Sequence, residues 1–132
     1  MIEIPKPFPH QLEDINKLRS FYKQGFRCPL LVASTGYGKT FVLSYITHGA
    51  MLNSNPVVII AHRKEIIKQL SMSLAKFGVK HQVIADLGKV ADIKVSQVRK
   101  YGTCFVDKTA NIIVGSVQTL HNRLSSVDRI VE

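Results

Sequence analysis

Apolar side chains in this chain alternate between two rhythms, a helical one and short unbroken runs. After an opening stretch with three prolines in five residues (Pro5, Pro7, Pro9), which favours extended backbone, apolar positions step by three and four. Leu12, Ile15, Leu18 and Phe21 or Tyr22 predict a helix over His10–Gln24, with Gly25 as its stop. The run Pro29–Ala33 predicts a strand buried on both faces, and Ser34–Gly38 a turn. Lys39–Leu52 predicts a largely buried helix, broken by Asn53–Pro56. Val57–Ala61 is a second apolar run and predicts a second buried strand. The helix expected over Lys64–Phe77 has Ile66, Leu70, Leu74 and Phe77 as its apolar stripe. A weaker strand is expected over Val79–Ile84, a stronger one over Asn111–Val114 and a short helix over Val117–Leu124. Asp86–Lys108 has mixed periodicity and predicts no element. Apolar strands alternating with helices predict an α/β fold, a doubly wound, mostly parallel sheet with helices on both faces.

The 132 residues make one domain, long enough for a true core. With 45% hydrophobic and 20% charged residues, the composition excludes a disordered tail, a collagen-like repeat and a disulfide-stapled miniprotein. The longest apolar run, Val57–Ala61, has five residues, whereas a membrane span needs about 20. The N-terminal MIEIPKPFPH lacks the basic and apolar regions of a secretory signal. Cys28 and Cys104 are far apart, without metal-ligand spacing, and read as reduced thiols in a cytoplasmic protein. Eighteen Lys and Arg against nine Asp and Glu give a net charge of +9. Such an excess suits solubility and also favours a polyanionic partner, through release of phosphate counterions.

The sharpest chemical signal is Ala33-Ser-Thr-Gly-Tyr-Gly-Lys-Thr40. Gly36 and Gly38 allow backbone angles at which successive N–H groups converge on one anion. The start of the following helix adds about half a positive charge aimed at the same point. Lys39 supplies a cation for β- and γ-phosphates, and Thr40 a hydroxyl for a bridging Mg²⁺. Thr35, Gly36, Tyr37, Gly38, Lys39 and Thr40 are therefore the expected ATP-binding residues, with Lys39 and Thr40 closest to the chemistry. Tyr37 enters as a loop member only, its side chain without a role. Ala33 stands where the general phosphate-loop pattern has its first glycine.

That alanine is a pointer, because A-x-x-G-x-G-K-T is the form this motif takes in superfamily 2 helicases and translocases. Three other segments resemble that family in order and spacing. Phe8-Pro-His-Gln11 is similar to the R-x-x-Q element ahead of the loop, with Phe8 in place of the arginine. The resemblance implies that Gln11 contacts adenine. Ile60-Ala-His-Arg-Lys-Glu-Ile-Ile-Lys-Gln69 resembles motif Ia in its A-H-R-x-E-L-x-x-Q form, and Val114-Gly-Ser-Val-Gln-Thr-Leu120 the v-x-S-x-Q-T-L motif. From these the resemblance implies nucleic-acid contacts by Arg63, Ser116, Gln118 and Thr119. It covers about residues 8–120 and implies a partial RecA-like P-loop NTPase lobe. The A-H-R form is similar to the DNA-directed branch of RadD-like, ComF-like and restriction-motor proteins, whereas DEAD-box RNA helicases carry P-T-R-E-L there. DNA is thus the expected partner in preference to RNA.

Ordinary structural roles compete with each of these. Gln11 fits a solvated helix position, Arg63 and Lys64 a charged helix start, His62 a packing or capping position. Ser116 and Thr119 fit a strand end and a helix cap. A cation at a helix N-terminus opposes the macrodipole, which favours an anionic partner for Arg63.

Phosphoryl transfer also needs a carboxylate for Mg²⁺ and a group that orients water. The family keeps both in a D-E-x-[HD] motif after the S-x-Q-T segment, and no such motif occurs in these residues. The expectation is the N-terminal part of the first motor lobe of an ATP-dependent DNA helicase or translocase. Residues 1–25 would form the adenine-side helix and residues 28–124 the core, ending ahead of that motif. Such a chain would bind ATP–Mg²⁺ and DNA without hydrolysing ATP, and would need a second motor lobe. It would also self-associate through exposed apolar sheet edge. The alternatives are a non-catalytic nucleotide- or nucleic-acid-binding module and a small P-loop kinase or transferase.

Overall fold

The first helix, α1 (Pro9–Lys23), begins on a proline, whose missing N–H would lack an intrahelical partner there in any case. The computed structural model describes residues 3–123. Within them α1 is followed by α2 (Lys39–Leu52), β1 (Val57–Ala61), α3 (Lys64–Lys76), β2 (Gln82–Ile84), α4 (Leu87–Tyr101) and β3 (Ile112–Ser116). A fifth helix, α5, starts at residue 117 and is described to residue 123; the expected end of this helix at Leu124 lies outside the described residues. The α/β class and the parallel sheet are as expected.

Among the described residues the sheet has three strands in the order β1-β3-β2, all parallel. The last strand in sequence is therefore central, and β3 is buried at four of its five residues. Parallel register sets Ala61 beside Ser116 and Ile84 beside Gly115. The carboxyl ends of all three strands thus lie at one edge, the edge where open α/β sheets place ligands. One sheet face packs on α3 through Ile59, Ile112 and Val114, joined by Ile67, Leu70, Leu74, Phe77 and Ile93. Val58 and Ile60 alternate to the opposite side and are exposed.

The segment Pro29–Ala33 departs from its expected form. It enters no strand of this sheet, and Leu30 and Val32 are 85% and 82% exposed. An apolar run encodes the wish to be buried, but a strand also needs a neighbour to pair with. Among the described residues β1 and β2 each keep a free outer edge, and the run pairs with neither. Leu31 and Pro29 turn the other way and line an apolar cavity of about 450 Å³ with Ile15, Leu18, Val42 and Ile46.

Two helical stripes are shifted. In α3 the fully buried residue is Ile67, while Ile66 is 41% exposed; burial at 67, 70, 71, 74 and 75 keeps the helical period with a different origin. In α1 only Gln11 and Ile15 are buried, and Leu12, Phe21 and Tyr22 are exposed.

The illegible region is α4. Asp86 caps it, its Oδ1 accepting the Lys89 backbone N–H at 2.9 Å, a role worth about 1 kcal/mol. Its buried residues are Ile93 and Gln97 alone, too few to write a period. Gln97 belongs to a buried polar chain: its Nε2 donates to Ser71 Oγ at 2.8 Å, and Ser71 Oγ lies 2.6 Å from His81 Nε2. His81 Nδ1 faces the Val79 carbonyl at 2.8 Å. A carbonyl only accepts, so Nδ1 carries the proton and Nε2 accepts from the serine hydroxyl. The Phe105 N–H closes the chain on Gln97 Oε1 at 2.8 Å. Burial holds the His81 imidazole below its ordinary pKa, against a smaller opposing pull from the Val79 carbonyl.

Candidate functional site

The phosphate loop is shaped by two left-handed residues. Gly36 has φ +86° and Gly38 φ +89°, angles that cost an L side chain about 1 kcal/mol or more. Gly38 is also the N-cap of α2, with no side-chain cap and no acidic residue in the first turn. The N–H groups opening α2 therefore have no carboxylate to blunt them, and the positive end of the helix stays available to an anion. Lys39 and Thr40 are the first two helical residues. Lys39 is exposed and borders the apolar cavity between α1 and α2, while Thr40 is half-buried. Thr35 and Gly36 are exposed on the loop. Its turn is closed by the Tyr37 N–H, which donates to the Ser34 carbonyl at 3.2 Å.

The first turn of α1 holds this loop. Gln11 is only 3% exposed. Its Oε1 accepts the Phe8 backbone N–H at 2.9 Å, and its Nε2 donates to the Tyr37 carbonyl at 2.9 Å. Its burial and its grip on the loop are inconsistent with the solvated helix position. The Tyr37 hydroxyl donates to Asp14 Oδ2 at 2.5 Å, and the ring edge of Tyr37 meets His10 at 5.4 Å between centroids. This bond to the carboxylate pushes the Tyr37 phenol up to about 12. Neither the Tyr37 side chain nor Asp14 is marked out for this contact by local pattern. Their only sequence signal is spacing, since His10, Gln11 and Asp14 fall on one helical face.

Two left-handed glycines ahead of an uncapped helix start are the backbone features that an anion site needs. A β-carbon on Gly38 would stand 2.7 Å from Gln11 Nε2 and would oblige that side chain to shift; one on Gly36 would meet nothing. For a metal ion, Thr40 offers a single hydroxyl. Among the described residues no three His, Cys, Asp or Glu side chains are gathered to hold a cation. A Mg²⁺ here would therefore be held chiefly by nucleotide phosphates.

The second candidate region lies at the carboxyl edge of the sheet. His62, Lys64, Ala85, Asp86, Ser116, Gln118 and Thr119 line a cavity of about 200 Å³. Parallel register explains the meeting, because it sets the ends of β1, β2 and β3 side by side. Lys64 Nζ reaches Asp86 Oδ2 at 2.6 Å; the pairing lowers the Asp86 carboxyl and raises the Lys64 ammonium. Arg63, the N-cap of α3, is exposed and does not line this cavity. Ser116 Oγ donates to Thr119 Oγ1 at 2.8 Å and accepts the Thr119 N–H at 3.2 Å. These two residues therefore do cap α5. Gln118 is exposed.

Cys28 and Cys104 are both free thiols. Among the described residues no helix is long and apolar enough to cross a membrane.

Compared with known proteins, residues 4–130 match the family model of the type III restriction enzyme, res subunit. UvrABC system protein B of Lactobacillus acidophilus is 38% identical over 65 residues, 49% of this chain and 9% of that protein. The same protein of Chloroflexus aggregans is 35% identical over 77 residues, 58% of this chain and 11% of its own length. That of Caldanaerobacter subterraneus is 38% identical over 72 residues, 54% of this chain and 10% of its own length. The chain thus spans about a tenth of the curated relatives it matches.

Proposed function

Given that the chain belongs to the type III restriction enzyme res-subunit family, and so to the superfamily 2 helicases, we propose that it grips ATP–Mg²⁺ within a motor lobe and touches the DNA backbone. The observation that carries this reading is the loop from Thr35 to Thr40. Two left-handed glycines flank Tyr37 where α2 begins, with an exposed lysine as the first helical residue.

In this reading the N–H groups of the loop and of the first turn of α2 bind the phosphates. Lys39 balances charge at the outer phosphates, and the Thr40 hydroxyl would help to hold a Mg²⁺ brought with them. The metal supplies charge neutralisation when bound. Gln11 holds the loop against α1, and an adenine contact by it would need its buried amide to be uncovered. Arg63 contacts a DNA phosphate, and Ser116, Gln118 and Thr119 meet the sugar–phosphate backbone. The net charge of +9 supports such a partner.

Binding comes without turnover in this chain alone. No D-E-x-H motif is present, and the carboxylates of Asp14, Asp86, Asp92 and Asp107 are engaged by Tyr37, Lys64, Lys68 and Thr109. The acids that hold the metal and orient water, and the second motor lobe, would be supplied by other residues of a larger protein. The uncovered side chains of Leu30 and Val32 would meet further parts of that lobe, and without them would favour self-association.

The test is binding of a fluorescent ATP analogue to wild type and Lys39→Ala, with and without Mg²⁺. Affinity should fall at least tenfold in the variant, about the loss of one charge-assisted phosphate contact. Equal affinities would remove the nucleotide reading.

A further inference from the structure

We infer that Tyr37 is a positioning residue of the phosphate loop, tethered through its hydroxyl to Asp14 so that the loop and α1 hold one geometry before nucleotide arrives. The inference rests on the nucleotide reading above and assigns a task to two side chains to which that reading gives none.

Ordering the loop has an entropic cost of its own. Gly36 and Gly38 both sit in left-handed conformations, and glycine loses more backbone freedom on ordering than any other residue. Tyr37 is the single residue between these two joints. A loop with two adjacent swivels samples many shapes, few of which aim its N–H groups at one point. Fixing the residue between the joints removes much of that freedom.

Tyr37 is fixed at both ends. Its carbonyl accepts from Gln11 Nε2 at 2.9 Å, and its hydroxyl donates to Asp14 Oδ2 at 2.5 Å. Gln11 and Asp14 are three residues apart in α1, so they present both partners from one helical face. His10 adds a third contact, the edge-on ring packing at 5.4 Å. Three contacts from successive turns of one helix determine both the position and the rotation of Tyr37. Asp14 and Tyr37 are both half-buried, which shields the charged bond from part of the competition by water.

The energetic consequence falls on binding more than on folding. A preordered loop spares the nucleotide the entropy of ordering it, and affinity rises without any new contact to the ligand. Tyr37→Phe keeps the ring and removes the hydroxyl; Asp14→Ala removes the acceptor; Asp14→Asn keeps an acceptor oxygen.

The test has two arms on the full chain. In the first, a fluorescent ATP analogue with Mg²⁺ is titrated into each variant. Tyr37→Phe and Asp14→Ala should each weaken binding about three- to tenfold. The double variant should be no weaker than either single one, because both remove the same bond. Asp14→Asn should recover affinity to within about threefold of wild type, a rescue that loss of packing alone would not give. In the second arm, amide hydrogen exchange over residues 34–41 is followed without nucleotide. Exchange should quicken in Tyr37→Phe and Asp14→Ala and stay slow in Asp14→Asn.

Unchanged exchange in the first two variants, or additive losses in the double, overturns the tether and leaves the nucleotide reading standing. Faster exchange with unchanged affinity overturns the positioning role. Absence of binding by wild type overturns the nucleotide reading and this role with it, whatever the exchange shows of the bond.

Discussion

The side-chain nitrogen of Gln11 occupies the space that a β-carbon on Gly38 would need, at a separation of 2.7 Å. Helix and loop are therefore closely packed at a residue whose left-handed backbone already favours glycine. Gly38→Ala meets two penalties, the clash with Gln11 and a backbone φ of +89° that disfavours any side chain by about 1 kcal/mol or more. Nucleotide affinity should drop more than tenfold while far-UV circular dichroism keeps its helical content. Retained affinity would mean that the loop relaxes freely, and the tight fit would lose its meaning.

Arg63 projects at the start of α3, close in sequence to the cavity that gathers Lys64, Ser116, Gln118 and Thr119. If it neutralises one phosphate, Arg63→Ala should weaken DNA binding about equally for all sequences. The slope of log affinity against log salt should fall by about one. An unchanged slope in a fluorescence-anisotropy salt series removes Arg63 from the interface.

His81 is fully buried between Ser71 and the Val79 carbonyl, and its pKa is lowered by that burial. The folded protein thus resists a proton that the unfolded chain accepts near pH 6.5. The His81 contribution to stability is complete above about pH 6.5 and is lost as pH falls from there toward the lowered native value. Urea midpoints should decline on going from pH 7.5 to 5.5. In His81→Gln that decline should be visibly shallower, although the variant is less stable at both pH values. Parallel declines would show that other groups carry the pH dependence.

Leu30 and Val32 stand almost wholly exposed on an extended segment that enters no strand. Apolar strand-forming residues in that state favour pairing with another chain. Sedimentation velocity across a concentration series should show self-association, and Leu30→Lys with Val32→Lys should suppress it. A monomer at every concentration, in wild type, discards this surface as sticky.

Most of the element order was written in local pattern. Val57–Ala61 and Lys64–Lys76 announce themselves because short apolar runs and three-four spacing are properties of a few neighbouring residues. The α4 helix was unreadable for the converse reason: its inward side is Ile93 and Gln97, and a buried glutamine looks like a surface residue until Ser71 and Phe105 are seen to satisfy it. Ile66 and Ile67 were ambiguous because adjacent apolar residues both fit a helical stripe, and only the position of the sheet chooses between them.

Local pattern is enough to mark the phosphate loop, since the glycine spacing and the lysine that follows are read within eight residues, Ala33–Thr40. It also determined the alternation of strands and helices, because hydrophobic periodicity acts over a turn or two. Tertiary structure alone decided which strand lies in the middle, and with it which loops meet at the carboxyl edge. It also decided that Pro29–Ala33 pairs with no strand among the described residues, and that Asp14 reaches a tyrosine 23 residues away. Each of those depends on hydrogen-bond partners distant along the chain, and pairing of that kind leaves no mark on local pattern.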